Sequence, residues 1–255
     1  MTDVNVLTQK FENISLQTSS PLALITIERE KVFNTLNLAT INELIKAFTL
    51  IKEDYNIQVV ILMGSGGKAF ISGIDTNELS TLTPQSAKQY AEKGQKLTLQ
   101  IEQLGKPVIA AINGVAFDAG LEIALACSLR VATNNAQFGL PAIEKGYIPA
   151  FGTSRRLSRL IGVGRALELL LSGEILDAQK ADKLGLVNQI THSIELFSLV
   201  KELAQKISNN SPLAIKYLLE SFFNGLEMPL EDSLLLESTL FGLLCAKPSN
   251  TKLID

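Results

Sequence analysis

The sequence predicts an α/β fold that gives way to helices alone in its last quarter. Three observations carry that prediction. Short, continuous apolar runs, VVILMG (59–64) and PVIAAI (107–112), read as strands buried on both faces. Segments with apolar residues at helical spacing lie between and around them. After about residue 192 the helical spacing continues without another strand.

In chain order, FENISLQT (11–18) and LALITIE (22–28) read as two strands around the turn SSP. Ile41, Leu44, Ile45, Phe48 and Ile51 share one helical face. VVILMG follows and ends in glycine. Leu97, Ile101 and Leu104 mark a helix that Gly105 ends. PVIAAI, SLRVAT (128–133) and LVNQI (186–190) complete the strands. Strand and helix alternate, which calls for crossover connections. In the tail, Phe197, Val200, Leu203, Ala204 and Ile207 share a face, and two more helices follow Ser211-Pro212 and Pro229. The expected division is an α/β core over 1–192 and a helical C-terminal region over 193–255, suited to contacts between copies.

The 255 residues carry a net charge of −3 and 46% hydrophobic residues, enough to build one large core. That charge provides no basic stripe for nucleic acid. Cys127 and Cys245 make neither a disulfide framework nor metal spacing, so a reducing compartment, the cytoplasm, is expected. MTDVNVLTQKFENISL has the pattern of neither a signal nor a transit peptide. No apolar run is long enough to span a bilayer, so no membrane contact is expected.

Two stretches read as loops that follow strands and lead into helices: GSGGKAFISGIDTNEL (64–79) and INGVAFDAGLE (112–122). The first is not a phosphate-binding P-loop. Leu62 stands where the first glycine belongs, and Ala69 follows Gly67-Lys68 in place of Ser or Thr. No third glycine completes a dinucleotide fingerprint. Gly162 and Gly164 read as a turn between two helices. Each of the two loops ends at a helix N-terminus, where free N–H groups and the positive end of the dipole favour negative charge. Two such ends aimed at one point would hold an oxyanion. The second loop also runs into AFDAGLEIALA, which sets Glu122 among Leu121, Ile123 and Leu125. A buried, unpaired carboxylate is expensive, so Glu122 either reaches water, pairs with a cation such as Arg130, or serves chemistry.

These blocks together resemble the enoyl-CoA hydratase/isomerase family, the crotonase superfamily. KAFISGIDTNEL (68–79) is similar to the family's A-F-x-A-G-x-D loop. Residues 106–162 follow its second and third signature blocks almost without gaps, 165–190 match the block after them, and EREKVFNTLN (28–37) is similar to its early N-A-L-N segment. The resemblance implies a crotonase-type ββα spiral and an acyl-CoA thioester substrate. It implies that the backbone N–H groups of Ile74 and Ala119 form an oxyanion hole, and that Ser72, Ile74, Asp75, Thr76, Asn77 and Ala119 line the substrate and coenzyme A site. Losing one such donor typically costs about 3 to 4 kcal/mol of barrier. Glu122 aligns with one of the two glutamates of the family's hydratases, three residues past Ala119 and so one turn on along the same face. Apolar neighbours would raise its pKa, which suits a general acid/base.

Two positions depart from the family. The second glutamate of the hydratases falls at Ala142. Glu144 is two residues further on; two helical residues turn roughly 200°, so Glu144 cannot replace it and reads as a solvated acid. Asp118 stands where the family usually has glycine. It reads as an N-cap, or else as a second carboxylate facing the substrate. His192 reads as a surface loop residue, Cys127 as core and Tyr147 as packing. Arg29 and Lys31 precede the NTLN segment and are candidates for coenzyme A phosphates. The expected function is reversible hydration of a 2-enoyl-CoA through a thioester enolate. The alternatives are an isomerase or decarboxylase using Glu122 alone, and a CoA-binding oligomer with little catalysis. No metal and no cofactor beyond the substrate's coenzyme A are implied. The resemblance implies a homotrimer or a dimer of trimers.

Overall fold

A computed structural model describes residues 7–246; residues 1–6, which bear part of the N-terminal reading, and 247–255 of the helical stretch lie outside them. The chain opens on an antiparallel meander of β1 (Leu7–Lys10), β2 (Ile14–Ser19) and β3 (Leu22–Ile27). β1 was not expected: its four residues are all exposed and show no apolar pattern. Next comes α1 (Leu38–Glu53). Asn37 caps it by accepting the Thr40 N–H at 2.8 Å, and Ile41, Leu44, Phe48 and Ile51 form its buried stripe, as their spacing predicts.

From here strands alternate between two sheets. β4 (Val59–Gly64) joins the large sheet and β5 (Ala69–Ser72) the small one, followed by α2 (Thr76–Leu79) and α3 (Pro84–Glu102). Thr83 and Ser86 cap α3 reciprocally, with Pro84 at its first position. β6 (Val108–Ile112) returns to the large sheet, β7 (Val115–Phe117) to the small one, and α4 (Ala119–Ala126) follows. β8 (Leu129–Thr133) and β9 (Gln137–Gly139) repeat the step. Then come α5 (Thr153–Ile161), α6 (Val163–Ser172), β10 (Leu176–Asp177), α7 (Ala178–Lys183) and β11 (Gln189–Thr191). Gly162 joins α5 to α6, as expected. α8 (Leu196–Ser208), α9 (Pro212–Gly225) and α10 (Leu230–Cys245) end the described chain.

The large sheet runs β1-β2-β3-β4-β6-β8-β11, parallel from β3 onward, and the small sheet runs β10-β9-β7-β5. This is the ββα spiral that the resemblance implies. The small sheet corrects one expectation: both stretches read as loops contain a strand. β5 and β7 have four and three residues, too short for an alternating pattern to show.

The continuous apolar runs have a physical cause. One face of the large sheet packs Ile25, Val60, Leu62 and Ala110 into the main core with α1, α3 and α4. The opposite face packs Val59, Ile61, Ile109, Ala111 and Val131 against Leu196, Val200 and Ala204 of α8. Strands covered on both sides need no polar alternation. α8 uses Leu196 in its buried row; Phe197, expected there, is exposed.

α4 is the centre of the molecule. All eight of its residues are buried. Its approach to β5 depends on Gly120, where a β-carbon would lie 2.0 Å from the carbonyl oxygen of Ile71.

Candidate active site

The register of the small sheet brings the two strand-to-helix junctions together. β5 and β7 pair in parallel with Ser72 opposite Phe117. One residue further on, Gly73 and Asp118 abut: a β-carbon built on Gly73 would lie 3.5 Å from that of Asp118. The next residues are Ile74 and Ala119. Their N–H groups are spent on no hydrogen bond among the described residues. Ala119 opens α4, so its N–H also lies at the positive end of that helix.

The Ile74 side is stapled from several directions. The Leu36 N–H donates to the Gly73 carbonyl at 2.9 Å, and the Asp75 N–H donates to the Leu36 carbonyl at 2.8 Å. These two bonds fix Ile74 between them. The Ser72 N–H donates to the Phe33 carbonyl at 3.1 Å. Arg29 pairs with Asp75 at 2.8 Å and also donates to the Thr35 carbonyl. The Arg29 hydrogen bond holds the Asp75 carboxyl below the usual carboxylate range, against the opposing effect of burial. Arg29 is thus engaged by this loop through Asp75 and Thr35. Asn34, 1% exposed, donates to the Ser65 and Ala69 carbonyls at 3.0 and 2.8 Å. Thr76 and Asn77 are exposed on the first turn of α2, and Ser72, Ile74 and Asp75 are half-buried.

Glu122 is 2% exposed and does not pair with Arg130. Arg130 donates to the carbonyls of Ala124, Cys127 and Leu186. The Glu122 carboxyl faces residues 150–153. Its Oε1 accepts the Phe151 N–H and the Thr153 hydroxyl, both at 2.7 Å, and the Thr153 N–H at 3.4 Å. Oε2 accepts only the Ala150 N–H, at 3.3 Å, and is the less occupied oxygen. Burial raises the Glu122 pKa, and the Thr153 hydroxyl and the Phe151 N–H oppose the rise. The cost of burying this carboxyl is thus met by neutral donors and no cation. Phe151 is itself seated by Gly94 of α3, where a β-carbon would lie 2.1 Å from its ring.

Asp118 departs from the cap it was expected to form. It occupies the N-cap position of α4, yet its side chain caps nothing there. Its Oδ1 accepts the Ala142 N–H at 3.0 Å. Burial raises its pKa, opposed by that N–H and by the charge of Lys145. The structure therefore links Asp118 to position 142, which carries no carboxyl of its own. Glu144 is exposed and lies beside Gly173, as a solvated acid would. His192 is exposed next to Asn134. Cys127 is buried, and burial pushes its thiol up to about 12. Tyr147, expected to pack, is 45% exposed, and Ile148 beside it is 77% exposed.

Sequence reasoning missed Thr153, Phe151, Asn34 and the positioning role of Arg29. Only the FGT of residues 151–153, inside a block quoted for the resemblance, could have pointed to the first two.

The chain matches known proteins over most of its length. The family model described as Enoyl-CoA hydratase/isomerase matches residues 17–252. The chain is 36% identical over 233 residues to a short-chain-enoyl-CoA hydratase of Clostridium acetobutylicum, covering 91% of this chain and 89% of that protein. It is 36% identical over 236 residues to a crotonyl-CoA hydratase of Syntrophomonas wolfei, covering 92% and 91%. A crystal structure of an enoyl-CoA hydratase from Bacillus anthracis superposes with a TM-score of 0.88 at 37% identity, covering 91% of this chain and 90% of that one.

Proposed function

Because this chain belongs to the enoyl-CoA hydratase/isomerase family, we propose that it adds water reversibly across the double bond of a 2-enoyl-CoA thioester. The thioester oxygen sits between the N–H groups of Ile74 and Ala119. Coenzyme A runs along Ser72, Ile74, Asp75, Thr76 and Asn77. As water attacks the β-carbon, the π electrons move toward the thioester oxygen, and the two fixed donors stabilise the resulting enolate. Glu122 takes the proton of the attacking water. Its raised pKa suits a group that must accept a proton in one direction and return it in the other. The reading needs no metal or redox cofactor; coenzyme A enters as part of the substrate.

The observation that carries this reading is the in-register pair of free N–H groups, with Glu122 one turn beyond the second of them. The relatives at 36% identity are named as hydratases of short-chain and crotonyl thioesters, which supports a short acyl chain. A second reading, migration of a double bond with one shuttled proton, draws on the missing carboxyl at Ala142. Incubation with crotonyl-CoA and with a 3-enoyl-CoA, with product identification, decides between them. Hydroxyacyl-CoA from crotonyl-CoA is the expected result. Bond migration without water addition would favour the isomerase, and no product from either would leave only a binding protein.

The reading includes a homotrimer or dimer of trimers. Leu218 and Phe222 on α9, with Leu235 and Phe241 on α10, are all more than half exposed, which supports contacts between copies. No helix among the described residues is long and apolar enough to cross a membrane. The free thiols Cys127 and Cys245 support a cytoplasmic setting.

A further inference from the structure

Three observations meet at Asp118. Its backbone has φ 44° and ψ −117°, a conformation that residues with a side chain seldom adopt and that is costly to hold. Its Oδ1 accepts the N–H of Ala142 at 3.0 Å. The carboxyl is thus tethered at the position where the hydratases that this chain resembles carry their second glutamate. Its Oδ2 has no hydrogen-bond partner among the described residues and lies over Gly73, 3.4 Å from where a β-carbon would stand. Gly73 and Asp118 immediately precede Ile74 and Ala119, which carry the two free donors, so Oδ2 lies next to the segment that would hold the oxyanion. The side chain is half-buried, neither sealed into the core nor out in solvent.

Resting on the hydratase reading above, we infer that Asp118 is the second carboxyl of the reaction, the acid that protonates the α-carbon while Glu122 handles the water. The α-carbon is bonded directly to the thioester carbonyl carbon. A group beside the oxyanion donors is therefore close to it, whereas Glu122, one helical turn on, faces the β-carbon. The step balances. Glu122 removes a proton from water, the water oxygen bonds to the β-carbon, and the C=C π pair becomes the enolate. The enolate pair then takes the Asp118 O–H proton to form the α C–H bond. Exchange with solvent returns the proton from Glu122 to Asp118. A protonated Asp118 does not repel the enolate, and burial favours that form. The strained backbone has a use in this arrangement: glycine would relax it but would supply no proton.

Two variants separate chemistry from tethering. Asp118→Asn keeps an oxygen for the Ala142 N–H and the size of the parent side chain. Asp118→Gly suits the backbone best and removes the side chain. Hydration of crotonyl-CoA and α-hydrogen exchange of butyryl-CoA in D2O, followed by NMR, are measured for both variants and the parent. Both variants are expected to fold and to lose hydration rate by about 10²-fold or more with little change in KM, the scale of a lost general acid. The α-hydrogen exchange should fall with it. Asp118→Gly combined with Ala142→Glu, which moves the carboxyl back to position 142, should recover about tenfold or more. A parent that hydrates while Asp118→Asn hydrates equally fast overturns this inference alone, leaving Asp118 a structural tether. A parent that neither hydrates nor exchanges overturns the hydratase reading and this inference with it.

Discussion

Glu122 shows how one side chain's chemistry follows from where its charge is allowed to rest. Its carboxyl sits in a fully buried helix and is met by the hydroxyl of Thr153 and the N–H groups of Phe151 and Ala150. Glu122→Gln keeps the shape and removes proton transfer. Turnover of an enoyl-CoA is expected to fall by about 10²-fold or more with thioester binding little changed, which steady-state kinetics and a binding titration would report. Burial raises the folded-state pKa of Glu122 above its unfolded value. The stability tied to that proton is complete below the ordinary carboxylate range and is lost as pH rises through the raised value. Glutamine does not titrate, so the stability of Glu122→Gln relative to the parent should improve with rising pH in urea unfolding. Thr153→Val removes a donor that favours the ionised form. Glu122 should then stay protonated to higher pH, and the acid limb of the kcat/KM profile should move upward. A profile that does not move would show that the Thr153 hydroxyl leaves Glu122 untuned. Glu122 was legible in the sequence because a lone acid in an apolar helix breaks the pattern. Its partners were not: they lie 28 to 31 residues away, and most of them are backbone N–H groups that no residue type announces. The conformation of Asp118 was hidden for a similar reason, since an Asp before a helix ordinarily reads as a cap.

The same contrast holds for whole elements. The strands of the large sheet were legible because burial on both faces leaves unbroken apolar runs. The small sheet was not, because β5, β7 and β9 are four, three and three residues long and sit among glycines. Yet the small sheet sets the distance between the two strand-to-helix junctions. Gly120 is where that construction tolerates least change. Its missing β-carbon would fall on the carbonyl of Ile71, a backbone atom that cannot rotate away. Gly120→Ala should therefore lift α4 off β5. Overpacking of this kind costs about 1–3 kcal/mol, and for a chain of this size each kcal/mol lowers Tm by about 2–4 °C. Activity should fall much further than stability, because Ala119 moves with the helix. A Gly120→Ala protein with the parent's kcat, Tm lowered or not, would show that the junction has slack.

At the scale of the molecule, α9 and α10 pack on each other and leave leucines and phenylalanines in solvent on both. Multi-angle light scattering should give a mass that is a multiple of three protomers. Phe222→Glu together with Leu235→Glu, both exposed in the single chain, should lower that mass with the helical circular dichroism intact. A parent that runs as a monomer at micromolar concentration would remove the proposed assembly.

The pair of free N–H groups at Ile74 and Ala119 has a consequence for how such a protein changes over time. Every amino acid except proline carries that group, so substitutions at these positions leave the donors in place as long as the small sheet holds its register. A carboxyl such as Glu122 or Asp118 can vanish, or be regained elsewhere, by a single codon change. Lineages built this way can trade one reaction for another while their grip on the thioester persists, because the main chain is inherited whole and the acids are drawn from a changing supply of side chains.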